Sequence, residues 1–358
     1  MDFTHLGQQT MSTDPTSMSV SPTVSPAPLV TFALFAYNQE KFIHEAVKGA
    51  FAQTYEPLEI ILSDDCSTDR TFEIMKEMAA AYRGPHRVRA VQTPHNLGVV
   101  QHVLLRGREA AGDIVVLAAG DDVSLPERVA RHVPCYDDPK VWAVSTGFHL
   151  IDEEGSVVSE NETIPIGVKL VNKWQTYIKN PCVVIQGSTA SYRKEVFDLA
   201  CFTGRINFAE DNLFNFLIYA SGWIVKFVQE PLILYRTHIN ALGNFPRNGR
   251  DWHADELRFA DQLDAEIEKL LFFLEFTYAR GLDTTVDIPA LQESLVALQE
   301  QKAWATLSVA ARAAILMRDL LKGKTRFLKW KMARIGGQFP DYWPKRSLAR
   351  FQRRYRVH

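Results

Sequence analysis

Cysteine is scarce in this chain: four in 358 residues, at positions 66, 135, 182 and 201, with no C-x-x-C pair among them. So wide a spacing argues against a disulfide scaffold and a structural zinc site, and it fits reduced thiols in a cytoplasmic protein. Long apolar runs are missing too. No stretch reaches the roughly eighteen residues needed to cross a bilayer, so membrane contact is expected to be peripheral at most. There is no G-x-G-x-x-G after the first apolar run and no Walker A motif, which removes the main support for dinucleotide and P-loop readings. No Ser-His-Asp arrangement stands in recognisable context.

Excess charge is also absent in total, at a formal net charge of -2, but the balance is uneven. Arg312 to His358 carries 14 Lys/Arg against 2 Asp/Glu, leaving 26 against 40 in the rest. An acidic body with a basic tail results. Ile315, Leu316, Leu320, Leu321, Phe327, Leu328 and Trp330 interleave with Arg318, Lys322, Lys324, Arg326, Lys329 and Lys331. Apolar anchors beside a cationic face describe an interfacial helix for an anionic membrane surface, the alternative being a surface helix packed on the body. The first residues are rich in Ser, Thr and Pro and lack a signal-peptide core. The expected organisation is a disordered leader over 1–27, a catalytic domain over 28–250 and a helical extension over 251–358.

What is present is an ordered acidic series: Asp64-Asp65, Asp121-Asp122 and Glu210-Asp211, with His238 after them. The first two pairs each close a β-type apolar run, Leu58 to Leu62 and Ile114 to Leu117. Helical spacing separates these runs: Glu40 to Thr54 on one side, Thr71 to Tyr82 behind the N-capping Ser67-Thr68-Asp69, and Val99 to Ala111 after Asn96-Leu97-Gly98. Strand–helix alternation implies an α/β fold, Rossmann-like, with a mainly parallel sheet and helices on both faces. Short strands near Val141 to Leu150, Trp223 to Val228 and Leu232 to Tyr235 and helices at Lys194 to Ala200 and Leu213 to Ser221 are expected next, then long helices over Leu257 to Ala279 and Pro289 to Leu321. Carboxylates at the carboxyl ends of adjacent parallel strands converge on one crevice. Unpaired carboxylates repel, so the cluster implies a cation and a diphosphate-bearing substrate.

These residues resemble the family 2 glycosyltransferases, inverting enzymes of GT-A fold that use nucleotide-diphospho sugars. Thr31 to Asn38 is similar to the family's first strand and turn, and Phe51 to Tyr55 with Glu59 to Asp69 to its second-strand signature. Asn96-Leu97-Gly98 matches the next turn, Gly120-Asp121-Asp122 the DXD position, Phe208 to Phe214 the Glu-Asp segment and Tyr235 to His238 a later metal-binding motif. The resemblance spans about Pro28 to Leu242. Ala119 stands where the DXD motif has its first acid, which removes a ribose contact often made there. The Q-x-x-R-W signature of processive synthases is absent, which favours transfer of one sugar per acceptor.

The resemblance implies Asp211 as general base, and Asp122 with His238 as ligands of Mn²⁺ or Mg²⁺. It places Ala36, Tyr37, Asp64, Asp65, Asn96, Gly98 and Asp121 around a UDP-, dTDP- or GDP-sugar donor. Glu210, Gly187 and Ser188 fall on the acceptor side, for a glycan or lipid-linked glycan in cell-surface polysaccharide assembly. No nucleic acid is expected as partner, and the location expected is the cytoplasm, peripheral to the inner face of the plasma membrane. Two alternatives stand beside this: a sugar-phosphate nucleotidyltransferase, whose Gly-rich basic loop is missing at Ala36 to Gln39, and a non-catalytic sugar-nucleotide-binding scaffold.

Overall fold

The computed structural model of the protein describes residues 27–162, 185–199, 210–238, 252–281 and 288–305, with 286, 311, 314 and 315. The leader through residue 26, Cys182, Cys201 and the basic tail from 316 lie outside the described residues.

The chain opens with the expected alternation: β1 (Val30–Ala36), α1 (Ile43–Phe51), β2 (Leu58–Asp64), α2 (Thr71–Ala81), β3 (Arg87–Gln92), α3 (Val99–Glu109) and β4 (Ile114–Ala119). β1 lies between β2 and β4, parallel to both, and β3 adds to β2 in parallel. Every residue of β2 is buried, as is all of β1 but Phe35, because helices cover both faces of these central strands. The N-cap position of α2 is Arg70, outside the expected Ser67-Thr68-Asp69, and carries no side-chain cap; the Asp69 carboxylate accepts the Thr71 N–H at 2.9 Å from one residue earlier. Gly112 returns the chain to the sheet where nothing larger fits: a Cβ there would lie 2.6 Å from the Thr31 nitrogen.

The second half is β5 (Val123–Ser124), α4 (Arg128–His132), β6 (Val141–Ile151), β7 (Val157–Glu162), β8 (Ala190–Arg193), α5 (Glu195–Leu199), α6 (Glu210–Ala220) and β9 (Ile224–Arg236). The sheet runs β3-β2-β1-β4-β8-β6-β9-β5, with β7 on β6. Unlike the first half it is mixed, since β8 is antiparallel to both β4 and β6 while β6 and β9 are parallel. The two strands expected over 223–235 are one continuous strand. Its register slips between Thr146 and Gly147 of β6, where Pro231, which has no N–H to donate, sits opposite Gly147.

Two apolar layers sandwich the sheet. Val30, Phe32 and Leu34 of β1 face Ile43 and Val47 of α1 and Met75 of α2. Ala33, Val115 and Leu117 face α3, α5 and α6. Two long helices follow, α7 (Trp252–Arg280) and α8 (Ile288–Ala305). They share the second layer: Phe273 stacks on Phe216 of α6 with ring centroids 3.9 Å apart.

Candidate functional site

The first acidic pair is fixed by the sheet register. Ala36 is level with Asp64, and Phe35 with Ala119, so three strands end together. The Asp65 N–H donates to the Ala36 carbonyl at 2.9 Å, and the Gly120 N–H donates to the Phe35 carbonyl at 2.8 Å. The acidic pairs therefore flank the exit of β1, with Tyr37 at 47% exposure between them.

Asp64 and Asp65 are both buried and both bonded to their own chain. Asp64 accepts the Ser67 N–H at 2.8 Å and the Gln92 amide at 2.9 Å, and it also accepts the Ser67 hydroxyl. Asp65 accepts Thr93 Oγ1–H and the N–H groups of Leu97 and Gly98, each at 2.9 Å, while its carbonyl accepts the Asn96 amide at 3.3 Å. Asp65 thereby shapes the Asn96-Leu97-Gly98 turn. Gly98 has φ 78° and open space beside its Cα. Below this turn burial holds His102 neutral, pulled down to about 4, with its Nε2 2.6 Å from Ser63 Oγ.

The second pair behaves differently. Asp121 and Asp122 follow β4, and the Asp121 carboxylate lies 3.0 Å from His238 Nε2. Asp122 Oδ1 accepts the Arg236 N–H at 2.9 Å, and the Ser188 hydroxyl also bonds this carboxylate. Burial and then the neighbouring Asp121 charge push Asp122 up to about 7. The fully buried Arg128 lies within electrostatic reach of Asp122; its guanidinium donates to Ser124 Oγ at 2.9 Å and to the Leu117 carbonyl at 2.8 Å.

The third pair starts α6 and meets the second through two residues. A Cβ on Gly187 would fall 1.9 Å from Glu210 Oε1, so that carboxylate lies directly over the glycine. Ser188, next along, touches Asp122. Burial and the Asp211 charge push Glu210 up to about 7. Burial lifts Asp211 to about 6, opposed by the Asn212 N–H and by Lys269 of α7. Tyr235 feels the charges of Asp122, Asp121, Asp211 and Glu210, and burial followed by those charges raises its hydroxyl.

Among the described residues no three His, Cys, Asp or Glu side chains converge as a ready-made cation cage. The donor set nevertheless suits a hard cation that brings its remaining oxygen ligands with it: two adjacent carboxylates, Asp122 raised by burial and by its neighbour's charge, and an imidazole. Asp122 and His238 are not in direct contact here; Asp121 is the residue against His238.

Sequence reasoning passed over Arg236, Arg128 and Tyr235. Arg236 and Tyr235 stood inside the Tyr235 to His238 motif, but only His238 was given a role. Arg128 had a weaker signal, one of two arginines, with Arg131, in the short stretch after Pro126.

The family model for glycosyl transferase family 2 matches residues 31–199. EpsE of Bacillus subtilis (strain 168), named as a glycosyltransferase, is 32% identical over 129 residues, 36% of this chain and 46% of that protein. EpsJ of the same organism, also named as a glycosyltransferase, is 27% identical over 228 residues, 61% of this chain and 64% of that protein. The chain thus spans less than two thirds of either relative. Among solved structures, a mannosyltransferase from Pyrobaculum calidifontis in complex with GDP-Man and Mn²⁺ superimposes with a TM-score of 0.48 at 18% identity, covering 88% of this chain and 86% of that one. The match to glycosyl transferase family 2, residues 31–199, covers just under half of this chain.

Proposed function

We propose that the protein is an inverting glycosyltransferase that moves one sugar from a nucleotide-diphospho-sugar to a hydroxyl of a glycan or lipid-linked glycan. The observation that carries this is the meeting of two acidic pairs across Gly187-Ser188. Asp122 on Ser188 belongs to the donor side, and Glu210 over Gly187 belongs to the acceptor side.

On the donor side, Tyr37 with Asn96 and Gly98 forms the wall for base and ribose, and Asp64 and Asp65 hold that wall in place. Asp65 Oδ2 accepts one protein donor and keeps lone-pair capacity for a base N–H. Asp122 and His238 would hold Mn²⁺ or Mg²⁺, with Asp121 orienting the imidazole; the cation would neutralise charge on the departing diphosphate.

On the acceptor side, the bond from the anomeric carbon to the diphosphate breaks as the acceptor oxygen bonds that carbon from the opposite face. The hydroxyl proton passes to the Asp211 carboxylate. At about 6, Asp211 is ionised at neutral pH yet more basic than an ordinary carboxylate, which suits a general base. Glu210, at about 7, is partly protonated there and offers both donor and acceptor character to sugar hydroxyls.

Among the described residues no helix is long and apolar enough to cross a membrane. Attachment of the basic tail to anionic lipid, a cytoplasmic location and a role in cell-surface polysaccharide assembly belong to the same proposal. The test is transfer assayed with Asp211→Asn against a panel of UDP-, dTDP- and GDP-sugars. Wild-type transfer with the variant near background supports the reading; equal transfer by both removes the assigned base.

A further inference from the structure

The geometry points to Arg236 as the positioning residue that sets the Asp121–Asp122 segment for its donor diphosphate, an inference that rests on the donor-site reading above. Arg236 is 2% exposed, and it ends β9 against three separate pieces of chain. Its Nε donates to the Asp121 carbonyl at 2.9 Å. One terminal nitrogen donates to the carbonyls of Asp152 at 3.2 Å and Glu153 at 2.9 Å, in the turn joining β6 and β7. The other donates to the Glu45 carboxylate of α1 at 2.5 Å. Its own backbone N–H takes Asp122 Oδ1.

Arg236 therefore grips the Asp121–Asp122 dipeptide at both ends. The side chain holds the carbonyl of the first residue, and the main chain holds the carboxylate of the second. The direction of each acidic side chain follows from where that peptide is held. The hold extends to His238: the Arg236 guanidinium lies 5.0 Å from the Phe42 ring centroid, and that ring packs 4.7 Å from the His238 ring. With four of five guanidinium N–H groups committed to protein oxygens, Arg236 has a supporting task, not a substrate contact.

A general positive charge would not serve. The acceptors lie on three separate segments in a planar spread, which a guanidinium matches and a single ammonium does not. Groups that orient ligand side chains typically change metal affinity or activity about 10- to 100-fold when removed. A purely architectural arginine would alter stability and leave ligand affinity alone.

The experiment measures UDP, GDP and dTDP binding by calorimetry, with and without Mn²⁺, for the wild type, Arg236→Lys and Glu45→Ala. Expected is a loss of about tenfold or more in the Mn²⁺-dependent affinity of Arg236→Lys, with metal-free affinity unchanged. Glu45 is 58% exposed, so Glu45→Ala folds, and a loss of about two- to fivefold in the same quantity is expected from that partner alone. A folded Arg236→Lys with wild-type affinity in Mn²⁺ overturns the inference. Should Arg236→Lys fail to fold, unchanged Mn²⁺-dependent affinity in Glu45→Ala overturns it. A wild type that binds none of the three nucleotides sinks the donor-site reading itself and this inference with it, whereas binding by all three proteins alike sinks only the inference.

Discussion

Two acidic pairs stand at strand ends on either side of β1, and they are put to opposite use. Asp64 and Asp65 follow a strand inside a purely parallel array, and their oxygens are engaged by N–H and O–H groups of their own chain. Asp121 and Asp122 follow the strand where the sheet turns mixed, and there burial and mutual repulsion lift Asp122 to about 7. The Glu210–Asp211 pair continues this pattern, with Glu210 near 7 and Asp211 near 6. Carboxylates whose lone pairs are filled by protein donors hold loops. Carboxylates crowded together with few donors are poised to take a proton or a cation.

The sharpest way to break this contrast is to neutralise one member of each kind. Asp211→Asn is expected to lower kcat for sugar transfer by about 10²–10⁴ with the melting temperature kept, read by steady-state kinetics and calorimetry. Asp65→Ala takes their acceptor from the part-buried N–H groups of Leu97 and Gly98, while the Thr93 hydroxyl keeps the His95 carbonyl, so a stability loss of about 2 kcal/mol is expected in urea unfolding. Inversion of these two outcomes would mean the two kinds of pair have been interchanged.

The pH response sharpens the contrast further. Asp122, Glu210 and Asp211 have folded values above their ordinary ones, so their contribution favours the folded state at low pH and is lost as pH rises through about 6 to 7. Glu210→Gln is therefore expected to stabilise the cation-free protein by about 1–2 kcal/mol at pH 8 and not at pH 4, followed by thermal melts. Transfer should run the other way, falling as pH drops through about 6 where Asp211 takes up its proton. The smallest effect concerns Cys66, held at φ 62° beside Asp65. Cys66→Gly removes left-handed strain but loosens the unfolded chain, for a net gain of at most about 1 kcal/mol in urea unfolding.

The first half was legible because its signals are local. Leu58 to Leu62 and Ile114 to Leu117 are apolar runs with acids behind them, and parallel strands place those acids together without further information. The second half was less legible because its structure depends on partners distant in sequence. β8 slips antiparallel between β4 and β6, and nothing in Ala190-Ser191-Tyr192-Arg193 announces those neighbours. The gap expected between Val228 and Leu232 holds Pro231, which marks a shift of register within one strand. Arg236 was hidden for the same reason: three of its acceptors are main-chain carbonyls, which leave no trace in residue identity. The candidate acids at 122, 210 and 211 were visible as residues, but their linkage through Gly187-Ser188 was not.

The stack of Phe273 on Phe216 has an architectural consequence. The helix that begins with Glu210 and Asp211 is buttressed from behind by a segment more than fifty residues later, so the proposed proton acceptor leans on a wall supplied by the end of the chain. Removing α7 and α8 would expose an aromatic face on α6 and free its first turn to drift. The helical extension is in that sense packed into the body that carries the proposed site, and shortening it should blunt the proposed transfer.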